Sequence, residues 1–309
     1  MIETRYLTKH YKDVVALDNL NMKIEKGQVY GFIGPNGAGK TTTIKVLSTL
    51  LKPTAGTASV CGYDVVRQGK LIRRHIGYMP DFFGVYEDMK VTEYLSFFAA
   101  AYRITGPERD ARVRDILELT DLGDKRDAFV ESLSRGMQQR LGVARVLLHD
   151  PEVLLLDEPA SGLDPRARIE IRALLKELGK MGKTILISSH ILTELAEMCS
   201  HVGIIEKGRL IAQGPIKEIM RQATRHNVIH VSLVNRSAEA VELLSRHEAV
   251  AQARQDDGGG IVIELNGKDS GPALVADLLV KNGFQIESIK RDEASLELAF
   301  MHLTKGIVS

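Results

Sequence analysis

Apolar and polar positions divide the chain into short elements of two kinds. Loose alternation over residues 1 to 28, with turn signals such as Lys26-Gly27, predicts short antiparallel strands. Val29 to Ile33, Val153 to Leu156 and Thr184 to Ile187 are apolar runs instead. Runs of that kind suit strands covered on both faces inside a parallel sheet. Thr57 to Cys61 reads as another strand, and Ile76 to Asp81 as a strand running out into a loop. Helical spacing appears between them. Residues 42 to 51 read as one helix; Tyr94, Phe97, Phe98 and Tyr102 mark a second; Pro107 to Thr120 is amphipathic, with Val113, Ile116, Leu117 and Leu119 near one face. Met137, Leu141, Ala144 and Leu148 mark a long helix for which Ser134 sits at the N-cap, and Asp150-Pro151 ends it. Ser161-Gly162-Leu163-Asp164-Pro165 turns into a helix reaching about Met181.

The same pattern predicts two domains. Val202 to Ile205 and Arg209 to Gln213 flank Glu206-Lys207-Gly208 as a hairpin, and a short helix from Gly214-Pro215 closes a first domain, residues 1 to 222. Residues 226 to 309 then follow the order β-α-β-β-α-β: a strand with Ile229, Val231 and Leu233, a helix from Ser237, a hairpin around Asp256 to Gly260, a helix with Leu274, Val275, Leu278 and Leu279, and a strand from Phe284 to Lys290. That order is the ferredoxin-like sandwich. A last helix is expected from Ser295 to Leu303. This domain carries no catalytic constellation, and a small structural or regulatory module is the expectation.

Composition narrows the function classes. The 309 residues are 44% hydrophobic and 26% charged, ordinary for a globular chain. A net charge of +1 gives no bulk electrostatic reason to expect nucleic acid as a partner. Cys61 and Cys199 lack metal-binding spacing and read as ordinary thiols. The charged start MIETRYLTKHYK does not read as a signal peptide, and the longest apolar run, Phe97 to Tyr102, is far too short to span a bilayer. A membrane contact would therefore come through a partner.

The chemistry gathers at strand ends. Gly34-Pro35-Asn36-Gly37-Ala38-Gly39-Lys40-Thr41-Thr42 fits G-x-x-x-x-G-K-[ST], with an expected strand before it and a helix after it. Glycines let successive N–H groups turn toward phosphate oxygens, and the helix start adds its unpaired donors. Lys40 is expected at the β- and γ-phosphates and Thr41 at Mg²⁺. Asp157 and Glu158 sit together at the C-terminal end of an apolar strand, where open α/β sheets bind ligands. Adjacent carboxylates there call for a cation or a proton. His190 follows the same strand-end logic as a phosphate contact, and Ser134 opens a second helix start suited to anions. Tyr11 is a candidate for stacking on a base, with an ordinary core or surface tyrosine as the alternative. Phe82, Phe83 and Tyr86 lie in a loop with Gly84 and are candidates for a partner surface.

Taken together, these motifs resemble the ATP-binding cassette family, the nucleotide-hydrolysing subunits of ABC transporters, over residues 2 to about 220. Gly34 to Thr42 is similar to the Walker A loop, Leu133 to Gln138 to the LSGGQ signature, Val153 to Glu158 to Walker B, Ser161 to Asp164 to the D-loop, and His190 to the switch histidine. The resemblance implies an α/β P-loop NTPase cassette with a mixed-sheet core, an antiparallel β subdomain and a helical subdomain, before the α+β ferredoxin-like domain. It implies ATP and Mg²⁺ as cofactors, and adenine stacked on Tyr11. It also implies a head-to-tail dimer in which Ser134 and Gly136 touch the γ-phosphate held by a second copy. Glu158 would orient and deprotonate the attacking water, His190 would hold the γ-phosphate, and Asp157 and Thr41 would hold the metal. Two positions depart from the family pattern. The signature reads LSRGM, and Asp81 replaces the loop glutamine that links metal and water to the membrane partner. Both variants, and the ending from Ala294 to Thr304, are similar to drug-export cassettes with a small C-terminal domain. An exporter subunit is then expected, peripheral on the cytoplasmic face through a separately encoded permease docking near Phe82, Phe83 and Tyr86. A nucleotide-binding scaffold, or a cassette ATPase acting on a macromolecule, stays as the alternative.

Overall fold

The computed structural model describes residues 1–82, 84, 86, 88–223, 227–256, 258–266, 271–291 and 296–304. It divides into two compact units, Met1–Ile216 and Lys217–Ser309. The first unit begins with β1 (Ile2–Tyr11), β2 (Val14–Ile24) and β3 (Val29–Ile33), followed by α1 (Lys40–Leu47), β4 (Ala55–Val60), β5 (Tyr63–Asp64), α2 (Gly69–His75) and β6 (Ile76–Met79). Then come α3 (Val91–Ala101), α4 (Gly106–Leu119), α5 (Arg135–Leu147), β7 (Val153–Asp157), α6 (Pro165–Lys180), β8 (Thr184–Ser189), α7 (Leu192–Met198), β9 (His201–Glu206) and β10 (Arg209–Pro215). α8 (Ile216–Ala223) starts at the division.

Two sheets form the frame. The antiparallel one has the order β2-β1-β4-β5. The mixed one has the order β10-β9-β3-β8-β7-β6, parallel throughout except for the edge pair β9–β10. β3 and β7 are buried at every position, as their unbroken apolar character requires of strands covered on both faces. One buried cluster joins Ile2, Leu7 and Leu20 of the antiparallel sheet to Phe32, Leu155 and Leu186 of the mixed sheet and Ile44 of α1. α3, α4 and α5 pack on one another as a helical layer. The mixed core, antiparallel subdomain and helices are those expected of the cassette.

Register explains why the chemistry converges. In the parallel ladders Ile33 stands opposite Ser189, and Asp157 opposite Ser188. Because neighbouring parallel strands end together, the segments leaving β3, β7 and β8 emerge at one edge. Caps fix the helices that follow. The Ser134 hydroxyl accepts the Met137 N–H at 3.3 Å to open α5, and an Asp164 oxygen accepts the Ala167 N–H at 2.9 Å to open α6, with Pro165 as its first residue.

Some boundaries differ from the pattern. α1 ends at Leu47 instead of Leu51, because Thr49 turns left-handed (φ 66°) and the Leu50 and Leu51 N–H groups both fold back onto the Lys45 carbonyl. The short basic segment before Ile76 is helical, as α2. α7 has no counterpart in the sequence reading; it is only seven residues long, too short for a periodicity to stand out.

The second unit holds β11 (Asn227–Leu233), α9 (Ser237–Ser245), β12 (Val250–Gln255), β13 (Ile261–Leu265), α10 (Pro272–Lys281), β14 (Ile286–Arg291) and α11 (Leu296–Leu303). Its sheet order, β12-β13-β11-β14, is antiparallel at every pair. This is the ferredoxin-like arrangement, built over its own core of Ile229, Val231, Leu244, Ile263, Val275 and Leu279.

Candidate functional site

The glycine loop between β3 and α1 is shaped by its neighbours. A Cβ on Gly34 would overlap the Ile205 carbonyl oxygen, so β9 dictates glycine there. Gly39 lies at φ 110°, and a Cβ on it would sit 2.6 Å from the Ala16 carbonyl oxygen. Residues Pro35 to Thr42, together with Ala16, Asp81 and Glu158, line a cleft of about 220 Å³.

Lys40 enters this cleft from the first position of α1. Its Nζ donates to the Gly34 carbonyl at 2.6 Å and to the Pro35 carbonyl at 3.3 Å. It also lies 3.7 Å from an Oε1 of Glu158. Burial lowers the lysine's pKa, and the Glu158 and Asp157 carboxylates oppose that shift. Two carboxylates thus offset part of the desolvation of the ammonium beside the glycine loop.

The carboxylates are positioned by a residue that sequence reasoning did not assign. The Ser188 hydroxyl donates to Oδ1 of Asp157 at 2.6 Å and accepts the Glu158 N–H at 3.0 Å. The same Asp157 oxygen accepts from the Thr41 hydroxyl at 3.2 Å. Asp157 is buried, and its neighbour Glu158 takes a left-handed backbone (φ 50°). That conformation costs a non-glycine residue roughly 1–2 kcal/mol. Here it is held by two bonds from the Glu158 N–H to the Ser188 carbonyl and hydroxyl. It turns the Glu158 side chain into the cleft, where Oε2 lies 2.8 Å from Nδ1 of His190. Glu158 therefore spans Lys40 and His190 with its two oxygens. Ser188-Ser189-His190 carried a signal for the histidine alone; that Ser188 faces Asp157 follows from the β7–β8 register.

The other expected residues are distributed unevenly. Asp81 lines the cleft. Its pKa is raised by burial, then by Asp157 and Glu158, against the pull of Arg135 and His190. Arg135 lies against the D-loop, where a Cβ on Gly162 would meet its guanidinium at 2.5 Å. Tyr11 ends β1, is partly exposed, carries the Lys9 ammonium 5.3 Å above its ring, and does not line the cleft. Ser134 and Gly136 do not line it either. Gly136 is buried at the start of α5, where a Cβ would lie 2.7 Å from that of Ala167 in α6, while Ser134 is exposed. Within one chain, then, the signature residues and the glycine loop do not share a site.

Phe82 is 86% exposed. Tyr86 is half exposed and packs its ring on Tyr94, Phe97 and Phe98, so it serves the helical layer while leaving one face open. Phe83 lies outside the described residues. Among the described residues no helix is long and apolar enough to cross a membrane.

Comparison with known proteins agrees with this geometry. The profile of the family described as "ABC transporter" matches residues 17–161, and that of the "ATP-binding protein DrrA1-3-like, C-terminal domain" matches residues 214–304. The bacitracin transport ATP-binding protein BcrA of Bacillus licheniformis is 36% identical over 99% of this chain and 98% of its own length. The daunorubicin/doxorubicin resistance ATP-binding protein DrrA of Streptomyces peucetius is 33% identical over 98% of this chain and 92% of its own. Among solved structures, a dimeric ATP-binding cassette in a post-hydrolysis state, bound to ADP and Pi, aligns at 27% identity over 70% of this chain and 98% of its own, with a TM-score of 0.63.

Proposed function

Because the chain belongs to the ABC transporter ATP-binding family, with the C-terminal domain of its drug-export members, we propose that it powers export through a separate permease by hydrolysing ATP at the cleft built on Lys40, Glu158 and His190. The observation that carries this reading is the reach of Glu158 between Lys40 and His190, with Asp157 and Thr41 joined directly beside it.

The roles follow from the positions. The loop amides and Lys40 take the β- and γ-phosphates, offsetting charge that builds on the transferred group. Glu158 accepts a proton from the attacking water and fixes its line of approach. His190 steadies both Glu158 and the γ-phosphate. The Thr41 hydroxyl and the Asp157 carboxylate are hard oxygen donors of the sort Mg²⁺ takes, with Asp81 a third at the cleft wall. The metal would neutralise phosphate charge, and Ser188 orients Asp157 for it. Ser134 and Gly136 act on the nucleotide of a second copy, a reading supported by their place outside the cleft of their own chain. Tyr11 stacks on the adenine.

The antiparallel, mixed-sheet and helical parts of residues 1–222 form the nucleotide-binding domain, and 226–309 an accessory one. A chain ending at 222 is expected to fold and bind ATP with wild-type affinity, read by equilibrium titration with a fluorescent ATP analogue; a folded chain without binding would overturn that division. Phe82 and Phe83, with the open face of Tyr86, dock the permease at the cytoplasmic face of the membrane. Changing Phe82 and Phe83 together to Ser is expected to leave ATP binding intact and remove co-purification with the membrane subunit. Unchanged co-purification would place the docking surface elsewhere.

A further inference from the structure

Glu194 is the most unusual buried charge among the described residues. It lies in the first turn of α7, the helix that follows His190, and is 5% exposed. Neither carboxylate oxygen has a hydrogen-bond partner among the described residues. A buried carboxylate without donors is costly, and such an orphan in a native fold needs a reason. The nearest cation is Arg168 of α6, with Nε 3.5 Å from Oε1. That same Nε donates to the Leu163 carbonyl at 2.9 Å, in the turn that carries the D-loop. One turn on, Arg172 of α6 pairs with Glu197 of α7 at 2.6 Å. The two helices that leave the Asp157-Glu158 strand end and the His190 strand end are thus tied by successive arginine–glutamate pairs.

We propose that Glu194 is a positioning residue for hydrolysis: through Arg168 it locks the D-loop turn to the histidine helix, so that His190 meets Glu158 only when the turn is in place. The inference rests on the roles proposed above for Glu158 and His190. Arg168 faces Glu194 from α6 on one side, with Arg172 and His190 also within electrostatic reach, while Glu158 repels it. Burial raises the Glu194 pKa against the pull of those cations. The ionised form is therefore penalised in the fold as pH rises past the ordinary glutamate value. A residue kept for stability alone would not be an ionisable one in this place. A neutral isostere should then cost the fold nothing at neutral pH, since the Arg168 side chain is one-third exposed and stays solvated.

Glu194→Gln in the full-length chain provides the test. The expected result is a loss of about tenfold in kcat with KM for ATP unchanged, and an unfolding temperature equal to or above that of the parent. Arg168→Gln should give the same loss in kcat, and the double variant no further loss, since either change opens the one link. A wild-type kcat in Glu194→Gln overturns the proposal. So does a lowered unfolding temperature with proportionate loss of activity, which marks a merely structural role, or additive losses in the double variant. Failure of the underlying reading is distinct: Glu158→Gln would then keep its turnover.

Discussion

Glu158→Gln is expected to bind ATP, to lose roughly 10²- to 10⁴-fold in turnover, and to accumulate as a dimer on sizing in the presence of ATP and Mg²⁺. The variant keeps the size of the side chain and the Ser188 bonds to its backbone N–H. It loses only the oxygen basicity that the proposed role as base requires, and the negative charge 3.7 Å from Lys40. Losing that charge frees Lys40 for phosphate, so nucleotide binding should hold or tighten. In the proposed head-to-tail pair the closing contacts would pass through ATP, so the dimer should persist when that ATP is no longer cleaved. Phosphate release and sizing together check the prediction; near-normal turnover would remove Glu158 from the role of base and shift attention to His190.

Much of this site is legible in the sequence because strand ends are legible. A short apolar run such as Val153 to Leu156, bounded by Pro151 and by polar residues, suits a covered strand, and the first polar residues after it mark its C-terminal end, where Asp157 lies buried and Glu158 turns out of the strand. The phosphate loop is legible for the same reason, since glycine spacing encodes backbone shape directly. The ferredoxin-like order of the second unit follows from element order and its hairpin at Asp256. Long-range register is not encoded that way. Ser188 and Ser189 look alike in sequence, and only the pairing of β7 with β8 sets Ser188 opposite Asp157. Glu194 carries no signal in the sequence, and its burial beside Arg168 of α6 exists only in the fold; Arg135 looks like an isolated departure from the signature until it is found against Gly162. Asp81 illustrates a middle case. Its departure from glutamine is visible in the letters, but its company with Asp157 and Glu158 is a property of two distant segments meeting.

The strongest test of the paired site uses two dead chains. Lys40→Ala removes the lysine from the loop, and Ser134→Arg fills the signature position with a bulky cation; each homodimer should lose turnover about a hundredfold. If the signature serves the partner's nucleotide, a hybrid dimer places both lesions in one composite site and leaves the other intact. Equal mixing makes about half of the dimers hybrids, each with one whole site, so about a quarter of the parental turnover should return. A signature acting on its own chain's nucleotide predicts none, because every site would then carry one lesion. The geometry within a single chain favours the first outcome. Ser134 is exposed at the head of α5, its hydroxyl accepting the Met137 N–H at 3.3 Å, while the cleft around Lys40 is lined from Ala16, the glycine loop, Asp81 and Glu158. A hydroxyl presented outward at a helix start, away from the cleft of its own chain, is where the proposed paired site would need it to meet the phosphate of a second copy.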